Sequence, residues 1–369
     1  MLVCDWIACG YAVRMKHLFD KIGDLPKWLE ENGQPKFRAA QIHRWATVNR
    51  ADRFEEMTNL PKPLREKLAD EFQLWTTEVV RHQKSPDGTE KLLLQLADGG
   101  QIECVLLRDG DRRSICVSSQ VGCAMGCVFC ASGLDGVLRN LTGGEIIEQM
   151  MRLQRLLPEE ERLSHIVMMG MGEPLANLKN VLQALGEATS PDSLGISPRR
   201  ITISTVGIPE AIVKLAELDS RYNLAISLHA PNDELRTEIV PTNKNVGIDR
   251  LLAAADQYFE TSGRKLTFEY VMLAGINDQP QHARQLARLL AHKTAILNVI
   301  PYNKVDGLEY ETPSSAAITR FKAILEKEGI VIMFRQRKGD SINAACGQLR
   351  RSTAQTATPL VDINKPTIR

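Results

Sequence analysis

Several features that would assign a chain to a particular class are missing from this 369-residue sequence. It has no run of about 18 apolar residues, which argues against a membrane-spanning helix. Its 46 Lys and Arg residues nearly balance 45 Asp and Glu residues, and the formal net charge is +1. A protein that coats nucleic acid would be strongly basic, so any contact with a polynucleotide must come from local groups.

Cysteine is also scarce, with eight residues of which three are clustered. A secreted disulfide framework is shorter and richer in cysteine, so we predict a reducing, cytoplasmic location. The first residues, MLVCDWIACGYAVRMK, lack the basic region that begins a signal peptide. We predict that residues 1–14 are an extension, with Met15 as an alternative start and no role for Cys4 or Cys9.

The pattern of apolar residues divides the rest of the chain into four regions. Residues 15–74 are charged with helical periodicity, which predicts a small helical N-terminal domain. Residues 75–111 alternate with a period of two around turn sequences, which predicts a β-hairpin linker or small sheet. Residues 112–350 form the main domain, and the polar tail 351–369 is predicted to be disordered.

Short β-branched runs alternate with amphipathic helical segments throughout the main domain. The predicted strands are SICVSSQV, HIVMMGM, RITISTV, LAISLHA, LTFEYVML, AILNVIPY and IVIMFRQR. Such βα units build a parallel sheet, and six or seven of them predict an α/β fold with a full or partial barrel. Chemistry in such a barrel belongs at the carboxyl ends of the strands, where the unusual residues fall.

Three cysteines, Cys123, Cys127 and Cys130, follow the first predicted strand in CxxxCxxC spacing. Structural zinc usually has four protein ligands, often in two paired spacings, and only one triplet is present here. A 4Fe–4S cluster bound by three cysteines keeps one iron open for a substrate or cofactor. Buried cysteines without a ligand are the less favoured alternative for so compact a group.

The flanking motifs resemble those of a known family. CxxxCxxC after the first strand of an incomplete barrel resembles the radical S-adenosylmethionine superfamily, which implies a partial (βα)6-type barrel. The ordered motifs resemble the RlmN family of adenine-C2 methyltransferases of 23S ribosomal RNA and transfer RNA: CVSSQVGCAMGCVFCASG, RNLTGGEI, GMGEPLANL, ISTVGIP, LAISLHAPNDELR, EYVMLAGIND, IPYN and DSINAACGQL. The match runs from Phe37 to Leu349, with one departure, Asn343, where we expect an acid.

The resemblance implies a mechanism that adenine C2 needs, because an electron-poor amidine carbon cannot attack a sulfonium methyl group directly. Cys346 would accept a methyl group by displacement, and a radical formed on that methyl group would add to the base. Cys116 would then attack the sulfur of Cys346, releasing the product and leaving a disulfide. Glu103 matches the position of the family's proton acceptor, although the strand pattern alone predicts an acid on the surface. The neighbouring Cys104 would point to the other face of the strand, which predicts a core residue.

The implied cofactors are a 4Fe–4S cluster on Cys123, Cys127 and Cys130 and two molecules of S-adenosylmethionine per turnover. A carboxylate and glycine backbone suit the methionine ammonium group. The residues that the resemblance places around S-adenosylmethionine are Gly172, Glu173, Ser204, Ser227, Leu228, His229 and Asn303. Read alone, His229 is more typical of a satisfied core or rim histidine.

The implied partners are 23S ribosomal RNA, transfer RNA and an electron donor such as flavodoxin or ferredoxin, with no membrane and a monomeric enzyme. We expect the helical N-terminal domain to dock RNA, since Phe37 and Trp45 are interleaved with basic groups. The target base must leave its stack. The candidate basic contacts, each of which also fits a solvated charge, are Lys36, Arg38, Arg44, Arg112, Arg113, Arg335, Arg337 and Lys338.

Three alternatives remain open at this stage. The related resistance enzymes share the mechanism and methylate C8 of adenine, and no motif separates the two positions with certainty. A non-catalytic iron–sulfur or zinc protein that binds RNA and senses redox state would need neither Cys116 nor Cys346. A radical enzyme with another substrate would not need the AACGQL ending.

Overall fold

The computed structural model describes residues 15–218, 221–264, 266–334 and 338–349. The predicted extension (1–14) and tail (351–369) lie outside the described residues, as do the candidate RNA contacts Arg335 and Arg337. The chain divides into two compact units, with the boundary between Thr76 and Thr77. Across the described ranges, no helix combines the length and apolar character needed to cross a membrane.

The first unit is mainly helical and is built around a small apolar core. Trp28 and Phe72 pack edge to face with ring centroids 5.2 Å apart, and Leu29 and Leu68 are fully buried beside other aliphatic side chains. Proline near the first turn of α1 and α3 is compatible with a helix start because those N–H groups have no intrahelical partner. The elements are β1 (Lys16–His17), α1 (Leu25–Glu31), α2 (Arg38–Thr47), α3 (Lys62–Glu71) and β2 (Phe72–Gln73), with 3₁₀ turns at Ile22–Asp24 and Phe54–Glu56.

The second unit contains the large sheet, whose described strands run in the order β14-β13-β12-β11-β10-β9-β6-β5-β4-β3. The strands are β3 (Glu78–Lys84), β4 (Glu90–Gln95), β5 (Gln101–Asp109), β6 (Arg112–Cys116), β7 (Gln120–Gly122), β8 (Val137–Asn140), β9 (His165–Met168), β10 (Ile201–Thr205), β11 (Asn223–Ser227), β12 (Leu266–Met272), β13 (Ala295–Pro301) and β14 (Ile332–Phe334). Strands β7 and β8 form a separate antiparallel pair.

Helices connect the parallel strands of this sheet. They are α4 (Gly143–Gln154), α5 (Leu178–Thr189), α6 (Pro209–Glu217), α7 (Asp233–Ile239), α8 (Ile248–Ser262), α9 (Pro280–Leu290) and α10 (Ser315–Lys327). Shorter 3₁₀ turns lie at Ala131–Gly133, Pro174–Asn177, Pro198–Arg200, Pro241–Asn245 and Asp340–Ile342. Thr142 and Glu145 start α4 with a reciprocal capping box, which satisfies two backbone N–H groups.

The predicted α/β partial barrel is confirmed. Strands β6 and β9 to β14 are mutually parallel, and six βα units lead into the last strand. The sheet is open, since its described order ends at β14 on one side and β3 on the other.

The β-hairpin expected as a linker has a different place in the fold. Strands β3, β4 and β5 are antiparallel and continue through β6 into the large sheet, instead of forming a small sheet of their own. The reason is the pairing of β5 with β6. Residues Val105 to Asp109 of β5 pair with the first barrel strand, so the hairpin continues the large sheet. Alternation of apolar and polar residues with a period of two predicts a strand, but it does not show which strand pairs with it.

Alternation along β12 shows which face of the sheet is hollow. Phe268 and Tyr270 are fully buried, and the Tyr270 ring lies 5.6 Å from the ring of Phe321 on α10. Thr267, Glu269 and Val271 line the interior cavities instead. The helices therefore cover an apolar outer face, while polar side chains project into the barrel.

Candidate functional site

The three clustered cysteines lie on the loop between β7 and the turn at Ala131–Gly133. The Cys123 N–H donates to Gly136 O at 2.9 Å, and the Cys130 N–H donates to Cys127 O at 3.1 Å. A side chain at Gly122 is excluded, since its φ is +81° and a Cβ would stand 2.0 Å from Gly136 O. These backbone contacts therefore fix the path of the loop.

Burial controls the chemistry of these thiols. It raises the pKa of Cys123 to about 12 and raises the pKa of both Cys127 and Cys130, and negative neighbouring thiols add to the effect. A bound cation reverses this preference because metal ligands are thiolates. Within the described residues no three His, Cys, Asp or Glu side chains are grouped to hold a metal ion. A cluster makes a different demand, because each thiolate binds its own iron.

The cysteine loop packs against the chain segment that carries Cys346. The Ala131 N–H donates to Gly347 O at 2.8 Å, and the Ser132 hydroxyl donates to Leu349 O at 2.6 Å. Cys127 and Cys130 also border a buried apolar cluster that includes Phe129. These contacts bring together two motifs more than 200 residues apart in sequence.

A cavity of about 150 Å³ lies beside the loop at the carboxyl ends of the strands. It is lined by most of the predicted site residues: Cys123, Cys130, Gly172, Glu173, Ser204, Ser227, His229, Asn303 and Cys346. Cys127 and Leu228 are not part of its lining; Leu228 is fully buried beside the end of β11. The structure thus gathers residues from five strand ends around one small space.

Glu173 is held rigidly at the edge of this cavity. Its carboxylate accepts hydrogen bonds from the Val206 N–H at 2.7 Å and the Leu175 N–H at 3.0 Å. Burial raises its pKa, and those hydrogen bonds partly offset the effect. The preceding Gly172 has φ +102°, and a Cβ there would stand 2.6 Å from Gln120. Glycine is therefore required beside this carboxylate.

His229 is a neutral imidazole in the same cavity. Burial, assisted by the charge of Arg236, lowers its pKa to about 3. Its Nδ1 accepts a hydrogen bond from the Val271 N–H at 3.1 Å, so the hydrogen of the neutral ring is on Nε2. The ring packs edge to face on Phe129, with centroids 4.8 Å apart.

Sequence reasoning missed a buried arginine below this cavity. Arg236, on α7, is 1% exposed and donates to three backbone carbonyls at the ends of β10 and β11. The acceptors are Val206 O at 2.6 Å, Ser227 O at 3.0 Å and Leu228 O at 3.1 Å. Burial lowers the Arg236 pKa to about 10, and the Cys127 thiol opposes that shift. The only sequence signal was its position in the LAISLHAPNDELR motif.

A second, larger cavity of about 490 Å³ occupies the barrel interior. Cys116 and Cys346 both line it, and Cys346 and Asn303 line the smaller cavity as well. The Asn303 Nδ2 donates to Cys346 O at 3.1 Å and so holds the Cys346 loop at the junction of the two spaces. Both thiols therefore reach one cavity of the size typical of ligand sites.

Glu103 lies outside both cavities. Its carboxylate forms a buried ion pair with Lys91 at 2.8 Å, on the adjacent strand. Val105, two residues along β5, pairs with Cys116, so Glu103 and Cys116 share one face of the sheet. The neighbouring Cys104 points the other way and is fully buried, as expected of core.

The departure at Asn343 has a conformational explanation. Asn343 has φ +51°, in the left-handed region that asparagine and aspartate tolerate better than most residues. Its carbonyl accepts a hydrogen bond from Lys91 Nζ at 3.0 Å. The loop therefore contacts Lys91 through the backbone carbonyl of Asn343.

The candidate RNA contacts have varied surroundings. In the first unit, Lys36 is ion-paired with Glu30 at 2.8 Å, and the Arg38 guanidinium lies 5.6 Å from the ring centroid of Phe37, which is 61% exposed. Trp45 is held through its Nε1, which donates to Asn59 at 2.6 Å. Arg44 contributes its carbonyl to the end of α2.

The candidates in the second unit are engaged in local contacts. Arg113 is paired with Glu161, and Lys338 is paired with Asp109 at 2.8 Å. Arg112 donates to the Ser114 hydroxyl at 2.9 Å. Arg112 and Lys338 also line the larger cavity, so two cationic side chains border the interior space.

Two family profiles match the chain. Residues 117–287 match the profile of the radical SAM superfamily, where SAM is S-adenosylmethionine, and residues 18–74 match the ribosomal RNA large subunit methyltransferase N-terminal domain. The first match contains the cysteine loop and strands β9 to β12, whereas Asn303 and Cys346 lie beyond its end.

Similar proteins cover nearly the whole chain. A probable dual-specificity RNA methyltransferase RlmN from Rhodopirellula baltica is 65% identical over 343 residues, which is 93% of this chain and 92% of that protein. A probable dual-specificity RNA methyltransferase RlmN from Staphylococcus carnosus is 44% identical, and the alignment covers 91% of this chain and 92% of that protein. The crystal structure of a radical SAM methyltransferase from Sphaerobacter thermophilus superimposes with a TM-score of 0.88 at 42% identity. The superposition covers 91% of this chain and 99% of that chain.

Proposed function

Because the chain belongs to the RlmN family of the radical S-adenosylmethionine superfamily and is an RNA methyltransferase, we propose that it methylates C2 of adenine in 23S ribosomal RNA and transfer RNA. The observation that carries the proposal is the pair of thiols, Cys116 and Cys346, lining one interior cavity next to the cysteine loop. A simple methyl transfer would need neither a carrier thiol nor a second thiol to release the product.

The superfamily implies a 4Fe–4S cluster and S-adenosylmethionine. We propose that Cys123, Cys127 and Cys130 hold the cluster and that Glu173, Ser204, Ser227, His229 and Asn303 surround the cofactor. The buried thiols on a rigid loop and the hydrogen-bonded Glu173 carboxylate fit these groups. When bound, the cluster and cofactor supply the radical chemistry that an unreactive carbon requires.

The chain's own thiols perform the transfer in this proposal. The Cys346 thiolate attacks the methyl carbon of one S-adenosylmethionine, forming a sulfur–carbon bond and releasing S-adenosylhomocysteine. A second S-adenosylmethionine is used for the radical step, which makes two per turnover. After attachment of the base through that methyl carbon, the Cys116 thiolate would attack the Cys346 sulfur. The sulfur–sulfur bond would form as the sulfur–carbon bond breaks, and the released carbon would take up a proton and stay on the base as its new methyl group. A donor such as flavodoxin or ferredoxin would supply the electron to the cluster, and a reductant would return two electrons to the disulfide to regenerate both thiols.

Glu103 is proposed as the proton acceptor on the basis of the family motif and of the sheet face that it shares with Cys116. Since Glu103 lines neither cavity, proton transfer to it requires a rearrangement around its ion pair with Lys91. We further propose that the enzyme acts as a monomer in the cytoplasm, where its RNA substrates and reduced thiols coexist.

The test is an anaerobic reaction of the reconstituted protein with S-adenosylmethionine, a reductant and unmodified 23S ribosomal RNA or transfer RNA. Nucleoside mass spectrometry with isomer standards separates 2-methyladenosine from 8-methyladenosine. We expect 2-methyladenosine from the wild type, none from Cys346→Ala, and a covalent RNA adduct on Cys116→Ala. Cys104→Ala is the matched control, because this buried cysteine lies outside both cavities.

Two results would contradict the proposal. Formation of 8-methyladenosine would assign the enzyme to the other carbon. Turnover of S-adenosylmethionine without methylated adenine in either RNA would show that the substrate is different.

A further inference from the structure

Asn298, one of the side chains that line the larger cavity, carries a polar atom without a hydrogen-bond partner. Asn298, on β13, is 4% exposed, and its Oδ1 is buried without a hydrogen-bond partner. A buried acceptor that makes no hydrogen bond costs about 1–3 kcal/mol, so such atoms in folded proteins need an explanation. This atom belongs to a side chain that lines the same space as Cys116 and Cys346.

The orientation of the Asn298 amide follows from its neighbour on β12. The Asn298 Nδ2 donates to the Glu269 carboxylate at 2.7 Å, and the two residues are direct partners in the parallel ladder. A carboxylate oxygen requires a donor opposite it, so the amide nitrogen faces Glu269 and the oxygen faces away. Glu269 is itself only 4% exposed, and its backbone carbonyl accepts from the Leu228 N–H at 3.0 Å. The acceptor is therefore held in a fixed direction.

Asn298 lies where we expect the base to bind, and not where we expect the cofactor to bind. Asn298 lines the larger cavity and is not part of the lining of the smaller cavity, where the proposed cofactor residues converge. Glu269, which orients it, lines both. A base must lie in the larger cavity to meet both proposed catalytic thiols, so the Asn298 side chain borders the space that the base would occupy.

We propose that Asn298 Oδ1 accepts a hydrogen bond from the exocyclic amino group of the target adenine and selects adenine over purines that lack this donor. This inference rests on the proposed function and specifies how its site recognises the base. Asparagine commonly contacts adenine through two hydrogen bonds, but here Nδ2 is occupied by Glu269, so one contact reads the amino group. A C6 carbonyl, as in hypoxanthine, would place two acceptors against each other.

The experiment compares three forms of one RNA hairpin, in which the target position is adenosine, purine riboside without the amino group, or inosine. For each variant the methylation rate and the affinity from competition binding are expressed relative to adenosine. Purine riboside also differs in intrinsic reactivity, but that difference is the same for every enzyme and cancels when the ratios of two variants are compared.

The wild type is expected to prefer adenosine to purine riboside by about tenfold and to disfavour inosine at least as strongly, since a site built for an N–H group rejects analogues that lack it. In Asn298→Ala and Asn298→Ser the adenosine preference falls to near one. In Asn298→Asp/Glu269→Gln, which exchanges the donor and the acceptor of the pair and keeps an acceptor at residue 298, the preference persists. Ile296→Val, an apolar change on the same strand and in the same cavity, keeps the wild-type ratio.

An unchanged ratio in both folded Asn298→Ala and Asn298→Ser would overturn the inference, and a raised KM for S-adenosylmethionine with an unchanged base ratio would assign Asn298 to the cofactor. Absence of methyladenine from the wild type would instead overturn the proposed function, while the affinity ratios would still decide the role of Asn298.

Discussion

Lys91 shows how a single residue connects the strands of the site to the Cys346 loop. Its Nζ lies 2.8 Å from a Glu103 carboxylate oxygen and 3.0 Å from the carbonyl oxygen of Asn343. Both side chains of the ion pair are less than one-tenth exposed. Removing one partner of a buried ion pair leaves an uncompensated charge, which costs more than the pair itself contributes.

We predict that Lys91→Met lowers the free energy of unfolding by about 3 kcal/mol, because the Glu103 carboxylate is then buried without its cation. Chemical denaturation of the full chain measures this change. Removing both charges in Lys91→Met/Glu103→Gln should restore most of the lost stability. Methylation should stay defective in the double variant if Glu103 accepts the proton.

The matched single variant, Glu103→Gln, separates the two effects, since it removes the proposed proton acceptor and leaves Lys91 unpaired. A Lys91→Met protein as stable as the wild type would show that the ion pair contributes nothing to the fold. Methylation by the double variant at the wild-type rate would remove Glu103 from the mechanism.

The hairpin of β3 and β4 is stabilised by a cluster of charges around Glu90. This carboxylate is 5% exposed and contacts Arg108 at 2.6 Å, His82 at 2.5 Å and Lys84 at 3.2 Å. Burial opposes ionisation, but hydrogen bonds from these three groups outweigh it and lower the Glu90 pKa. Because β5 carries Arg108, the cluster fastens the hairpin to the rest of the sheet.

We predict that Glu90→Gln destabilises the second unit at pH 7 and that this difference from the wild type shrinks as the pH falls. The folded pKa lies below the ordinary glutamate value, so the stabilisation is fully present above that ordinary value and is lost as the pH falls through the folded pKa. Unfolding free energies of both proteins from pH 7 to pH 3 test the prediction.

Glu78→Gln on β3 is the control, since Glu78 is exposed and lies outside the cluster of charges around Glu90. A difference between wild type and Glu90→Gln that stays constant over the whole pH range would argue against a lowered pKa for Glu90.

At the scale of the whole molecule, a net charge of +1 cannot concentrate RNA on the protein by long-range attraction. Affinity must then come from local features on the two units. In the first unit, the exposed ring of Phe37 with Arg38 beside it offers a surface on which a base can stack.

We predict that Phe37→Ala weakens the affinity for substrate RNA by about tenfold, since stacking of one base on an aromatic ring contributes about 1–3 kcal/mol. The methylation rate at saturating RNA should stay at the wild-type value because the two thiols proposed for catalysis, Cys116 and Cys346, belong to the other unit. Filter binding and saturation kinetics measure the two quantities. Val331→Ala, which removes an equally exposed apolar side chain in the second unit, is the control. Equal RNA affinity for Phe37→Ala and the wild type would refute the stacking role.

The amino-acid sequence alone determined the order of the βα units, and it predicted an iron–sulfur site at Cys123, Cys127 and Cys130 and, through the family motifs, the roles of Cys116 and Cys346. It did so because strand and helix periodicities are local, and because the carboxyl ends of parallel strands must lie at one edge. The partial barrel and the convergence of distant motifs were therefore predictable before any coordinates.

Only the tertiary structure decided which strand the hairpin joins, that Lys91 pairs with Glu103 and that Arg236 donates to three strand-end carbonyls. It also decided that Asn298, with an unsatisfied acceptor, lines the same cavity as the two thiols. Each of these depends on strand register and on the rotamer of a buried polar side chain. Register joins residues that are remote in sequence, and a polar residue on a strand has the same pattern whether it is paired, exposed or reserved for substrate.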